Sequence, residues 1–485
     1  VPTHVVHPVR DLLRQVDPEG ELAPCSLRQL LLGPGAITAV ATTVEELLAA
    51  AGRAPTGRPT VALLVDPVPM TRLGADLKDL VERQLAERFE VRRVLLDDGH
   101  PELHVSDAVL ADAVRGVAAA DAVVALGGGT ISDLGKLAAF AGSGPAPVLV
   151  AVQTAASVDG YTDDVSVVLR DGVKRTVPSR WPDAVVADAE TIAEAPARMN
   201  RAGFGEMTSM LTAPADWRLA NLVGTDTTFH EGPIRLLEVV GADIDTWSPG
   251  VRGGDPDAVA ALTRALALRG LATGIAGTTA VLSGVEHLVS HMLDQHHAGH
   301  HLPIGLHGAQ VGAAAVVAAA AWELLLDRLA TTAAPSFDEE VLDPGRARAR
   351  VEHAFAGLGA GIATECWHDY ERKLGAVTAA RGRLAEALRA WNRHEPELRR
   401  LVRPSAEIAA ALRAAGAPAT PAELDPFVPR PLWRWAVAHC ALMRNRFTVV
   451  DLLMFLGWWT DAEVDEVLAR AEAAVRSADG PELVS

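Results

Sequence analysis

Short apolar runs set between stretches of helical periodicity dominate the first 195 residues. Residues 61–65 (VALLV) stop at Asp66 and Pro67, as a strand buried on both faces of a parallel sheet does. Residues 73–88 repeat apolar positions at helical spacing, and residues 91–96 form the next strand candidate. A helix over 108–119 and a strand over 122–126 follow, the strand running straight into Gly127, Gly128 and Gly129. Residues 148–152 and 184–187 continue the series. This alternation predicts an α/β domain with a parallel sheet over residues 1–195. From 196 to 485 the pattern is helical almost throughout, which predicts an all-α second domain.

Local punctuation refines the second half. Asp255 has the character of an N-cap with Pro256 at the first helical position, and Gly270 would close that helix. Thr460-Asp461-Ala462-Glu463 is a capping box ahead of the last helix. Residues 247–254 and 334–345, rich in Pro, Gly and acids, are expected to be surface loops. The longest uncharged apolar stretch, 311–322, ends at Glu323, whereas a membrane span needs about 20 such residues. A buried helix is expected there. No signal-peptide pattern is visible in the first residues, and a cytoplasmic protein with no membrane partner is expected.

A length of 485 residues exceeds one ordinary core, which agrees with two domains sharing a cleft. The net charge of −18 argues against nucleic acid as a partner, because phosphate backbones call for a positive field. Cys25, Cys366 and Cys440 are distant and form no CxxC, as expected of buried thiols in a reducing compartment.

Two constellations carry candidate chemistry. Three glycines between a strand and a helix let backbone amides approach a pyrophosphate, although the same residues also make a plain tight turn. Asp133 lies in the first turn of that helix, where a carboxylate is favoured with or without a ligand. Asp66, at a strand end, suits ribose hydroxyls and hence NAD over NADP, or else a solvated turn. Further on, seven of the 16 histidines fall between His287 and His307. His287 and His291 share a helix face, flanked by Glu286 and Ser290, and such a density makes a metal as good a reading as ordinary core histidines. The intervening His296, His297, His300 and His301 are expected to be solvated. HExxH, GxSxG and P-loop motifs are absent from the sequence.

Six segments appear in a familiar order: VVALGGGTISDLGK (123–136), QTAASVDG (153–160), AGFGEMTSMLTAPADW (202–217), SGVEHLVSH (283–291), LHGAQVG (306–312) and MRNRFTVVDLL (443–453). Together they resemble the glycerol-1-phosphate dehydrogenase branch of the iron-containing alcohol dehydrogenase and dehydroquinate synthase-like superfamily. The resemblance implies an N-terminal NAD-binding domain, a helical C-terminal domain, and a metal in the cleft between them. It implies Glu206, His287 and His307 as ligands of one divalent ion (zinc, iron, nickel or cobalt) and Gly127, Gly128 and Gly129 as the pyrophosphate cradle for NAD(H). Thr154 and Ser157 would contact the nicotinamide half. Asp159 and Lys174 would lie near the substrate, and His291 would relay a proton or touch the substrate. Self-association into a homo-oligomer is implied too.

Three departures bear on the substrate. Glu206 stands where the branch usually has Asp, and the dehydroquinate synthase relatives use Glu at that position. Met210 stands where the branch has a lysine, and Ala280 where it has an arginine. Losing two cations removes charge-assisted bonds a phosphate would need, so the implied substrate is a non-phosphate secondary alcohol. One alternative is a peptide: relatives of this branch in daptide-type pathways for ribosomally made peptides look suited to oxidising a C-terminal threonine, with loss of carbon dioxide. Residues 224–254 and 334–345 would give such a peptide room. Another is a cyclase or lyase of the dehydroquinate synthase kind.

Overall fold

A computed structural model describes residues 5–52, 57–100, 103–142, 145–170, 173–333 and 335–479. Its largest sheet has seven strands: β1 (Val5–Pro8), β2 (Gln29–Gly33), β3 (Thr60–Val65), β4 (Glu90–Leu95), β5 (Ala122–Gly127), β6 (Val148–Gln153) and β7 (Ala184–Asp188). The order across the sheet is β1-β2-β7-β6-β5-β3-β4, all parallel except the antiparallel edge pair β1–β2. Alternate residues serve opposite faces: Val61, Leu63 and Val65 enter one core with Val40 and Val44, while Ala62 and Leu64 enter another with Leu134 and Leu149. Burial on both faces explains why these strands read as unbroken apolar runs.

From β3 the chain steps to β4 on one side and to β5 on the other. That reversal is a topological switch point, and it leaves a crevice at the carboxyl ends of β3 and β5, where open α/β sheets bind ligands. Helix α1 (Gly129–Ala141) starts there.

Beyond β7 the described residues form helices and turns. Four helices organise this region: α2 (Ala197–Met207), α3 (Pro256–Ala276), α4 (Val285–Gly299) and α5 (His307–Thr331). Both α3 and α5 are long and apolar enough to cross a membrane, but 83% and 94% of their apolar windows are buried, so both are core helices.

The compact units do not follow the compositional break at residue 195. One comprises Val1–Gly203 with Arg235–Ile275, the other Phe204–Ile234 with Ala276–Ser485. Within the first unit, α3 is tied by a 2.6 Å bond from Thr162 Oγ1 to the Ala267 carbonyl and by the Arg269–Asp159 ion pair. Gly270 does not end α3, contrary to expectation. A Cβ there would overlap the Asp159 carbonyl oxygen and the Thr162 hydroxyl, so its lack of a side chain serves close packing in mid-helix. Asp255 does cap α3, accepting from the Ala258 amide at 2.9 Å.

The expected loop at 247–254 is a helix, Ile244–Gly253, carried through Pro249 by buried Ile244, Ser248 and Val251 and ended by Gly254 at φ 71°. The 334–345 stretch, apart from residue 334, contains a short helix, Glu339–Leu342, and the start of Pro344–Phe355. The capping box at Thr460 forms as expected. No disulfide joins the cysteines; Cys366 and Cys440 are buried and Cys25 is half-buried.

Candidate metal centre and nucleotide cradle

Glu206, His287 and His307 converge within the second unit. Each offers a ligand atom within 4.8 Å of the other two. Glu206 ends α2, His287 lies in the first turn of α4, and His307 opens α5. A close crossing of glycines brings α2 and α5 together: a Cβ on Gly312 would lie 2.7 Å from the Gly205 Cα, and one on Gly205 would meet Gly308. Only bare backbone at this crossing lets Glu206 stand beside His307.

The imidazoles are oriented from behind. His287 Nδ1 is 3.0 Å from Glu286 Oε1, and that carboxylate also accepts from the Gly284 amide (2.6 Å) and the Thr212 hydroxyl (3.0 Å). His307 Nδ1 is 2.9 Å from Ser290 Oγ, which donates to Gln310 Oε1 at 2.7 Å. Both Nδ1 atoms are therefore placed to carry the proton, and both Nε2 atoms face Glu206, at 3.2 Å from His287 and 3.7 Å from His307.

A lone pair pointed at a carboxylate in a buried site is repulsive unless a cation lies between them. The ordering of partners thus fits a divalent ion with one oxygen and two nitrogen donors. Without an ion a proton takes that place: burial lowers the His287 pKa, but Glu206 and then Glu286 outweigh it and raise it to about 9.

Asp216 underpins this geometry. It accepts from the Val285 amide at 3.2 Å and the Val449 amide at 2.9 Å, fixing the starts of α4 and of the Val449–Phe455 helix. Burial, followed by the charge of Glu286, pushes its pKa well above the carboxylate range. His291, one turn after His287, stacks on His307 with ring centres 5.5 Å apart. His296 and His297 lie on the last turn of α4 and are not part of the triad; His296 stacks on His300 at 4.3 Å. His297 is buried rather than solvated.

Met210 and Ala280 are both buried, each 7% exposed. Arg446, which sequence reasoning passed over, reaches the segment containing Ala280. It donates to Thr279 Oγ1 at 2.6 Å and to both the carbonyl and the hydroxyl of Ser283. Burial lowers its pKa to about 10, and its bonds go to neutral oxygens. The available signal was its place in the RNRF segment.

In the first unit, the glycine turn lies beside the loop after β6. The Thr154 amide and the Tyr161 hydroxyl each donate to the Gly127 carbonyl at 3.3 Å. A Cβ on Gly127 would press into Ile131 and one on Gly129 into Val158, both at 2.8 Å, whereas one on Gly128 meets nothing within 4 Å. Gly128 is the N-cap of α1 and offers no side chain to its amides, so the turn presents open backbone donors. Thr154 and Ser157 are buried at 7% exposure in the same loop, which Asn200 pins through the Ala156 amide (3.0 Å).

Other expected contacts have protein partners. Asp133 is 3.3 Å from Lys136 and accepts from the Val167 amide at 3.2 Å, so its carboxylate serves the fold. Asp66 sits at the switch point and is paired with buried Lys78 at 2.7 Å. Asp159 faces the fully buried Arg269 at 3.1 Å. Lys174 lies opposite Leu169 in the Val165–Arg170 and Val173–Pro178 hairpin; its side chain is outside the described residues.

Residues 33–196 match the family profile described as iron-containing alcohol dehydrogenase. The chain is 32% identical over 278 residues to glycerol-1-phosphate dehydrogenase [NAD(P)+] of Pyrococcus furiosus, covering 54% of this chain and 74% of that protein. To the enzyme of the same name from Methanothrix thermoacetophila it is 31% identical over 229 residues, but it spans only 62% of that relative's length. The fold is similar to the crystal structure of a probable glycerol dehydrogenase from Sinorhizobium meliloti 1021, with a TM-score of 0.54 at 16% identity over 93% of this chain and 97% of that one.

Proposed function

Since the chain belongs to the iron-containing alcohol dehydrogenase family, oxidoreductases acting on CH–OH groups, we propose that it oxidises a secondary alcohol, or reduces the matching ketone, using NAD(H) and one divalent ion. The observation that carries this reading is the pair of imidazoles with Nδ1 anchored and Nε2 turned on Glu206. When bound, the ion supplies Lewis-acid polarisation and the nicotinamide supplies hydride exchange. Glu206, His287 and His307 hold the ion. Gly127, Gly128 and Gly129, with the start of α1, receive the pyrophosphate, and Thr154 and Ser157 border the nicotinamide half. His291 passes the hydroxyl proton toward solvent.

The substrate we propose lacks a phosphate. The relatives named glycerol-1-phosphate dehydrogenase act, by that name, on a phosphate ester. Here Met210 and Ala280 replace two cations, and Arg446 is committed to Thr279 and Ser283. A peptide ending in threonine is the finer candidate, since it offers a secondary alcohol without a phosphate. Turnover with NAD and added zinc, iron, nickel or cobalt tests the reading, comparing glycerol 1-phosphate with unphosphorylated alcohols and a threonine-ended peptide. Ion-dependent NADH production, greatest on an unphosphorylated substrate, is expected. Product formation with no net NADH would instead identify a cyclase that recycles its cofactor.

A further inference from the structure

Helix α4 carries a second set of donors one turn beyond the first. His291 and Asp294 are three residues apart and share a helix face. Together with His307 they offer three ligand atoms, all within 4.8 Å of one another. Asp294 is only 4% exposed, so its carboxylate is held in the protein rather than in water. The rings of His291 and His307 are nearly parallel, at 22°, and the His287 ring lies 5.2 Å from His307 and 6.3 Å from His291. His307 therefore belongs to two three-donor groups, each with one carboxylate and two imidazoles.

We propose that His291, Asp294 and His307 form a second, weaker position for a divalent cation, overlapping the first at His307. The donor set is chemically the same as at the first position, so any ion suited to one suits the other. Their strengths differ for an electrostatic reason. The first position has Glu206 as ligand and Glu286 directly behind His287, two carboxylates around one ion. The second has Asp294 alone. His307 has one free lone pair, on Nε2, since its Nδ1 donates to Ser290; while the first ion holds that lone pair, an ion at the second position rests on His291, Asp294 and solvent, which weakens it further. Occupying the second position also takes His291 out of proton transfer, so a surplus of metal would slow the reaction that the first equivalent enables. This consequence rests on the function proposed above; the position itself rests only on the donors.

The test is equilibrium dialysis of the metal-stripped full chain against Co2+, with bound metal measured and the visible d–d bands recorded. Two binding events are expected, the second at least tenfold weaker. In Asp294→Asn the weaker event and its bands should vanish, while the tight equivalent stays within about threefold of its original affinity. His291→Gln should do the same and covers the case in which the Asp294 variant fails to fold. The double variant His296→Gln, His300→Gln, which alters the neighbouring histidine stack, should keep both events. In turnover assays, inhibition by surplus Co2+ should disappear with Asp294→Asn. A single binding event in the unaltered chain, or a weak event that survives Asp294→Asn, overturns the second position and leaves the first standing. Failure to bind any ion overturns the metal centre of the proposed function as well.

Discussion

Replacing Gly312 by alanine puts the metal centre's construction to a direct test. The new Cβ would lie 2.7 Å from the Gly205 Cα and 3.1 Å from Leu412 Cδ2, while ordinary contact begins near 3.4 Å. Leu412 can rotate, but the α2 backbone can yield only by moving away from α5, by roughly 0.7 Å on these distances. Gly205 adjoins Glu206, and Gly312 lies on the helix that begins at His307, so the displacement separates two members of the Glu206, His287 and His307 cluster proposed to hold the ion. Metal sites tolerate about 0.2 Å in ligand distance. The fold should lose about 1–3 kcal/mol, the usual cost of overpacking a tight core. Ion affinity should fall much further in proportion, by about 100-fold, the scale on which ångström misplacements act at functional sites. Calorimetric zinc titration with thermal unfolding of metal-free and zinc-loaded protein separates the two effects. A stably folded Gly312→Ala protein that bound zinc as tightly as the original would refute the idea that this crossing sets the ligand spacing.

Four further outcomes are expected. Glu286→Gln should weaken ion binding by about 10- to 100-fold, measured by competition with a chelating dye, because it loosens the orienting partner of His287. Lys136→Met should destabilise the protein by about 3–5 kcal/mol in urea unfolding, since it strands Asp163, 2.7 Å away, and Asp133 in a buried setting. For metal-free protein, His287 has a folded pKa of about 9 against about 6.5 unfolded. Its stabilising contribution is complete below pH 6.5 and lost as pH rises through 9, so thermal midpoints should decline across that window and the decline should vanish in His287→Gln. Met210→Lys should lower KM for glycerol 1-phosphate by about tenfold, by restoring a charge-assisted bond to phosphate.

Sequence made legible whatever depends on local pattern. The runs at 61–65, 122–126, 148–152 and 184–187 are strands because both faces of the sheet are covered, which leaves no polar alternation to blur them. Glu206, His287 and His307 were identifiable through their motifs, and they do converge. What stayed hidden depends on neighbours distant along the chain. Nothing local marks Gly270 as a mid-helix contact, since only the Asp159 carbonyl explains it. Gln310 and Ser290 look like ordinary helix residues until α4 and α5 pack. Edge strand β1 pairs four residues with β2 and is largely exposed, too short and too polar in setting to announce itself. The antiparallel pair Val165–Arg170 and Val173–Pro178 does carry a sequence signal, the Asp171-Gly172 dipeptide between alternating residues.

The membership of α3 in the first unit has a consequence for synthesis. The partner of Asp159 is Arg269, and the acceptor for Thr162 is Ala267, more than a hundred residues further along the chain. A ribosome therefore completes every strand of the seven-stranded sheet well before the helix that finishes its unit has emerged. At about 5–20 residues per second that interval lasts several seconds or more, during which Asp159 lacks Arg269 and Trp181 lacks its cover at Gly274. A chain cut after Gly203 would remain in that unfinished state permanently. The first unit is contiguous in space but not in time, and a nascent chain would require a chaperone's shelter most between those two moments.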